Sequence, residues 1–272
     1  MKLTVEQRDR YARNMALAGI GEEGQRKLWE SKVLLIGAGG LGSPIALYLA
    51  AAGVGTLGIV DGDVVDVSNL QRQILHSEQV VGTEKALSAQ RRLQELNGGI
   101  TVVPYCEEVT RSNIADIIND KDYDFIIDGT DNFSAKFLIN DACVLLQKPF
   151  SHAGVVAYHG QVLTYVPGQG PCYRCIFEEE PAPGDVPTAK DVGILGAAAG
   201  TIGAIQATEA IKYITGVGEL LTGTLLTYDA LTMTFRKVPF SAESRLRRLW
   251  GSSDDYGAVA ADVAKKISFS QE

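Results

Sequence analysis

Val33-Leu-Leu-Ile-Gly-Ala-Gly-Gly-Leu-Gly42 is the stretch that decides the fold. Four apolar residues in a row read as a short strand buried on both faces. Gly37, Gly39 and Gly42 then form G-x-G-x-x-G, and the Ala- and Leu-rich residues 43–52 read as a helix. A glycine turn between a strand and a helix start lets the backbone approach a phosphate, and it points N–H groups at that phosphate. Gly37, Gly39, Gly40 and Gly42 are therefore the candidate nucleotide turn. Asp61 closes the next predicted strand, 56–60, at 19 residues after Gly42, where an acid holds a ribose hydroxyl. A glycine-rich turn with no ligand is the alternative, and the glycines alone do not separate NAD or FAD from ATP.

Outward from this unit the alternation continues. Residues 5–30 read as a helix ending before Ser31, and 82–96 as a charged, Ala/Leu-rich helix. Residues 101–105 read as a strand, 114–118 as a short helix, 124–127 as a strand ending at Asp128, and 135–147 as a helix. Strands alternating with helices predict an α/β fold: a Rossmann-like, doubly wound, mainly parallel sheet. After Pro149 the pattern changes. Residues 150–156, 161–166, 223–228 and 233–238 read as strands with short connections, so the sheet is expected to continue with antiparallel strands. Between them lie a polar, Pro-rich stretch, 178–191, and an apolar helix ending near Ile214. The expected organisation is one domain over 1–240 and a divergent tail over 241–272.

Composition narrows the function classes. The chain has 272 residues, enough for a real core in one large α/β domain or two small ones. With 25 Lys+Arg against 33 Asp+Glu the net charge is −8, which argues against a general nucleic-acid or membrane-surface binder. Four cysteines do not make a secreted disulfide framework. The N-terminal residues lack the apolar core of a signal peptide, and the longest uncharged stretch, 192–208, is short for a membrane span. It reads as a buried helix whose Gly196-Ala-Ala-Ala-Gly200 permits close packing against a sheet or a second subunit. The expected compartment is the cytoplasm.

Asn69, Arg72, Gln73 and Lys85 bring amides and two cations soon after Asp61. Two cations beside a nucleotide suit a polyphosphate whose pyrophosphate leaves, because charge builds on those oxygens in the transition state. A solvated arginine and lysine are the bland alternative. Asp128-Gly-Thr-Asp131-Asn132 comes after the fourth strand, at the carboxyl end where open sheets bind ligands. One carboxylate beside phosphates is a usual Mg²⁺ holder, and an N-cap for the next helix is the alternative for either Asp.

Several further motifs carry a resemblance. They are Arg10-Tyr-Ala-Arg13, Gly24-Gln25, Ala52-Gly-Val-Gly55, Asp61-Gly-Asp63, Ser68-Asn-Leu-Gln-Arg-Gln73, Pro171-Cys-Tyr-Arg-Cys175, Gln206-Ala-Thr-Glu-Ala-Ile-Lys212 and Tyr228-Asp-Ala230. Together with the glycine turn and Gly129-Thr-Asp-Asn132, they resemble the ThiF/MoeB/HesA family, bacterial relatives of ubiquitin-activating enzymes. The resemblance spans about residues 5–240. It implies ATP-dependent adenylation of the C-terminal glycine carboxylate of a small ubiquitin-like sulfur-carrier protein ending in Gly-Gly. It implies that Asp61 holds the ATP ribose, that Asp63 is a further nucleotide-binding residue, that Asn69, Arg72 and Lys85 hold and polarise the phosphates, and that Asp131 binds Mg²⁺. It also implies a homodimer in which Arg13 reaches into the partner's ATP site.

The sequence departs from the family twice. Many relatives pair the CxxC with a second CxxC near the C-terminus to make a four-thiolate zinc site. Here no cysteine comes after Cys175, so Cys172 and Cys175 are half a ligand set and bind zinc weakly. Many relatives also carry a cysteine in the crossover loop, where this chain has Pro187-Thr188-Ala189. A thioester or persulfide at that position is excluded. Cys106 and Cys143 read as core packing, and His76, His152 and His159 are scattered and carry no role. The expectation is an enzyme that stops at the acyl-adenylate or hands it to a separate sulfurtransferase. An enzyme of the same fold acting on a tRNA base or a small carboxylate, a non-catalytic carrier-binding scaffold, and an NAD-dependent dehydrogenase remain as alternatives.

Overall fold

The computed structural model describes residues 3–182, 185–186 and 189–241. The tail over 242–272, with Pro187 and Thr188 of the crossover loop, lies outside the described residues. One eight-stranded sheet runs through the molecule in the order β3-β2-β1-β4-β5-β6-β7-β8. The strands are β1 (Lys32–Ile36), β2 (Thr56–Val60), β3 (Thr101–Tyr105), β4 (Phe125–Asp128), β5 (Phe150–Val156), β6 (His159–Tyr165), β7 (Thr224–Asp229) and β8 (Thr234–Pro239). The first five pair in parallel. The last three join antiparallel, each to the strand before it. The Rossmann-like sheet with an antiparallel continuation is therefore as the sequence predicts.

The helices are α1 (Val5–Arg10), α2 (Ala12–Met15), α3 (Gly21–Glu30), α4 (Gly42–Ala52), α5 (Lys85–Leu96), α6 (Ile114–Asp120), α7 (Phe133–Leu145), α8 (Ala189–Val192) and α9 (Gly196–Thr215). They cover the parallel strands on both faces, which is why β1 and β4 need no polar alternation: Val33–Ile36 and all of β4 are buried. One core joins Leu35, Leu57 and Ile127 to α4, α5 and α9; the other joins Leu34, Ile36 and Ile126 to α6 and α7. In the antiparallel half α9 packs on β5 and β6, while β8 is exposed along most of its length.

Two expected helices differ in extent. Residues 5–30 form three short helices instead of one. Tyr11 turns its ring into the core and accepts a hydrogen bond from Asn97 Nδ2 at 2.8 Å, and Gly19, at φ 89°, breaks the chain before α3. The helix expected from Gly82 begins at Lys85, because Glu84 is still extended and bridges Val64. That delay places Lys85 in the first helical turn, facing back toward Asp63.

Candidate functional site

Strand order reverses between β1 and β4, with β2 and β3 on one side and β5 on the other. Helical connections cross to opposite faces there and leave a crevice at the carboxyl ends. A cleft of about 1240 Å³ opens at this point. It exceeds the roughly 300–1,000 Å³ of a small-molecule site, so a nucleotide does not fill it.

The turn after β1 forms the first wall. Gly37 sits at φ 97°, and a side chain there would place its Cβ 2.8 Å from the Gly129 carbonyl. Only glycine lets the ends of β1 and β4 come this close. Asp61 accepts the Ala38 N–H on one oxygen at 2.8 Å and the Asp63 N–H on the other at 3.0 Å, so it fixes the turn to the end of β2. His76 braces the turn from below. Burial lowers its pKa and keeps it neutral, so Nε2–H donates to the Ala38 carbonyl at 3.0 Å while Nδ1 accepts from Ser88 Oγ at 2.8 Å. The sequence shows no motif around His76, and its bracing role emerges only from the fold.

Arg72 and Lys85 face the same space from the other side. Lys85 is buried along its stem and donates to Asp63 Oδ2 at 2.7 Å, with Asp61 Oδ1 at 3.9 Å. Arg72 is tied back to the Ser68 carbonyl at 3.2 Å and keeps the rest of its guanidinium toward the cleft. Gln73 is buried on the cleft wall, and its Oε1 has no hydrogen-bond partner among the described residues. Gly196 explains the small residues at the start of α9. A Cβ there would meet the Gln71 carbonyl at 2.7 Å, so the helix packs directly against the segment that carries Arg72.

Asp131 and Asn132 lie on the cleft beyond β4. Asn132 accepts the Ala135 N–H at 2.8 Å and caps α7, while Asp131 is exposed and makes no hydrogen bond or ion pair among the described residues. An unengaged carboxylate on the same cleft as Arg72 and Lys85 fits a hydrated Mg²⁺ shared with phosphates.

Asp128 corrects the sequence reading. It is fully buried and does not line the cleft. Its carboxylate takes Lys136 Nζ at 3.2 Å, His152 Nδ1 at 2.8 Å and the Thr130 hydroxyl. Burial alone would raise its pKa, but the Lys136 ammonium and the His152 and Thr130 hydrogen bonds win and hold it below the usual carboxylate range. His152 is pushed down to about 4, by burial first and Lys136 second, so it is the neutral partner. Lys136 also donates to the carbonyls of Thr130 at 2.8 Å and Ala153 at 2.6 Å. The cluster ties β4, β5 and the Asp131 loop together, which is a structural task.

The other candidates scatter. Gly37, Gly39, Gly40, Asp61, Asp63, Arg72, Gln73, Lys85, Asp131 and Asn132 share the cleft. Gly42 packs under the Gly37 carbonyl, and Asn69 accepts the Asp66 N–H at 3.2 Å in a local turn; neither lines the cleft. Arg13 is exposed on α2, away from the cleft of its own chain.

Cys172 and Cys175 place their sulfurs 3.9 Å apart, and among the described residues no group of three or more Cys, His, Asp or Glu side chains could hold a metal. The donor set does not fit a tetrahedral zinc site. Cys143 is buried as expected, its thiol pushed up by burial, but Cys106 is exposed and not part of the core. Among the described residues no helix is long and apolar enough to cross a membrane.

The sequence reading missed the far arm of the cleft. Gly154, Gln161, Thr227 and Arg236 line it, as do Val156, His159, Asp229 and Thr234. The available signal was the two-residue alternation of polar residues in β7 and β8, which marks one wet face of a sheet.

Known proteins share both the sequence and the fold of this chain. The chain is 46% identical over 240 residues to SAMP-activating enzyme E1 of Haloferax volcanii, covering 88% of each chain. It is 44% identical over 243 residues to the sulfur carrier protein adenylyltransferase of Thermus thermophilus, covering 88% of this chain and 89% of that one. A crystal structure of E. coli MccB superposes with a TM-score of 0.76 at 24% identity, covering 85% of this chain and 72% of that one, and so shares the fold. The profile of the ThiF family matches residues 11–247, a span that holds every residue lining the cleft, and the chain belongs to that family.

Proposed function

We propose that this protein adenylates the C-terminal glycine carboxylate of a small ubiquitin-like sulfur-carrier protein, using ATP and releasing pyrophosphate. The observation that carries the reading is the shape of the cleft. It joins a nucleotide wall, built from the Gly37 turn, Asp61, Arg72, Lys85 and Asp131, to a polar arm over the antiparallel strands. A nucleotide fits the first part, and an extended peptide tail has room in the second. The relative named as a sulfur carrier protein adenylyltransferase supports the choice of tail.

The tail's carboxylate oxygen forms a bond to the α-phosphorus of ATP, and the bond from that phosphorus to the bridging oxygen breaks. Pyrophosphate departs with the electron pair. The nucleophile is already an anion, so no general base is required. Catalysis is positioning plus charge neutralisation. Arg72 and Lys85 meet the departing oxygens, and the glycine turn offers its N–H groups. Asp131 would hold Mg²⁺, which supplies further neutralisation of the phosphates when bound. Arg13, exposed on α2, would complete a second subunit's site in a homodimer.

Ala189 stands where many relatives carry the loop cysteine, so the product is an acyl-adenylate, released to a sulfur donor or to a separate sulfurtransferase. ATP–pyrophosphate exchange that depends on a carrier ending in Gly-Gly tests the reading. Exchange that appears with a carrier and disappears when its last glycine is removed supports it. A folded protein that gives no exchange with any carrier, or exchanges with tRNA instead, ends it.

A further inference from the structure

The far arm of the cleft has a definite chemistry. Strand register puts Gly154, Gln161, Thr227 and Arg236 directly opposite one another across β5, β6, β7 and β8. Two residues along, Val156, His159, Asp229 and Thr234 form the next row on the same face. All eight line the cleft, so this face of the sheet is its floor. The neighbouring face lies under α9 and holds Val162 and Tyr228 in the core.

Asp229, His159 and Arg236 are the ionisable side chains of this floor, and the first two already face each other. Asp229 accepts the Leu231 N–H and the Thr232 hydroxyl, each at 2.9 Å, and lies 3.9 Å from His159 Nδ1. Arg236 forms no hydrogen bond or ion pair among the described residues. The other cations of the cleft, Arg72, Lys85 and Lys136, lie at the nucleotide end. Arg236 is thus an unengaged guanidinium at the end of a polar row leading toward the reacting centre.

We propose that Arg236 selects the carrier by pairing with an acidic side chain in its C-terminal tail, about five residues before the end. The inference rests on the adenylation reading above. Three strand spacings of about 4.8 Å separate Gly154 from Arg236, or roughly 14 Å, which an extended chain crosses in about four residues. The carboxylate lies past Gly154 toward Asp131, which adds about one more. Gly154 leaves the near end of the row without a side chain, so the terminal glycines pass over it. Gln161 and Thr227 offer amide and hydroxyl groups to the tail backbone. A guanidinium suits a carboxylate through paired N–H donors, which a lysine would not reproduce.

The test uses a carrier that supports exchange with the wild-type enzyme. Its fourth, fifth and sixth residues from the end are replaced in turn by Glu, Gln or Lys. At one of these positions the expected kcat/KM order is Glu, then Gln, then Lys, with about tenfold between Glu and Gln. The difference should lie in KM, because Arg236 is remote from the α-phosphorus. R236Q should flatten the order, R236E should reverse it, and R236K should restore only part of the preference. Equal rates for all three side chains at all three positions, or an order that R236E leaves unchanged, would overturn the proposal while leaving adenylation intact. Failure of the wild-type enzyme to show exchange with any carrier ending in Gly-Gly would instead count against the adenylation reading.

Discussion

The two halves of the sheet use charge in opposite ways. In the parallel half, Asp128, Lys136 and His152 are buried together, and each side chain meets at least one of the others. In the antiparallel half, His159 and Arg236 are exposed, and Asp229 is held by its own turn. The cause is coverage. Helices pack on both faces of the parallel strands, so a polar group there leaves water and must find a partner. One face of β6–β8 stays wet, so the same residue types keep their hydration and stay available to a ligand. A buried charge therefore becomes a structural tie, and an exposed one on the cleft floor stays open to a ligand.

The sharpest way to break that contrast is Lys136→Met. It leaves the Asp128 carboxylate buried without its ammonium, and unfolding by urea should show a loss of about 3–5 kcal/mol. A loss no larger than a surface change would mean that the cluster is not a coupled unit. Next in size is Arg72→Ala. Exchange should drop about 10²–10³-fold, or ~2.7–4 kcal/mol, while the unfolding midpoint holds, because Arg72 serves the cleft and little of the fold.

Acid should separate the halves too. The folded pKa of His152 is depressed to about 4, from an ordinary value near 6.5. The unfolded chain therefore takes up its proton first. This contribution is complete above about pH 6.5 and is lost as pH falls toward 4, at up to ~1.4 kcal/mol per pH unit. Asp128, also depressed, extends the loss below its ordinary value. A urea series over this range should show the slope, and His152→Gln should flatten the part above pH 4.

Asn132→Ala removes the cap of α7 and should cost about 1 kcal/mol, read as a small shift in urea midpoint. The smallest effect belongs to the wet half. Arg236→Gln should change stability by less than about 0.5 kcal/mol in the same titration. A large loss there would show that Arg236 supports the fold and would remove the basis for the contrast.

Much of this was legible along the chain. The run 33–42 carried the strand, the turn and the helix in order, because each depends on local pattern and on glycine at fixed offsets. Asp61, Arg72, Lys85 and Asp131 could be nominated because the loop leaving a parallel strand sits at the ligand end of the sheet. Asp128 and Asp131 could not be told apart in this way. They are three residues apart, one ending β4 and the other in the loop after it, yet one is sealed beside Lys136 and His152 and the other faces the cleft.

The sequence by itself determined the order of elements, the glycine turn, the cysteines that the zinc site lacks, and the side-chain types available to the phosphates. Those are properties of spacing and composition, which survive in one dimension. Tertiary structure alone decided that His76 braces the turn, that Asp128 is structural, and that Gly154, Gln161, Thr227 and Arg236 form one row. These relations join residues up to 82 positions apart, from 154 to 236, across three strand pairings. Register and burial are set by how the sheet and helices pack, and no local pattern encodes which face is left open to water.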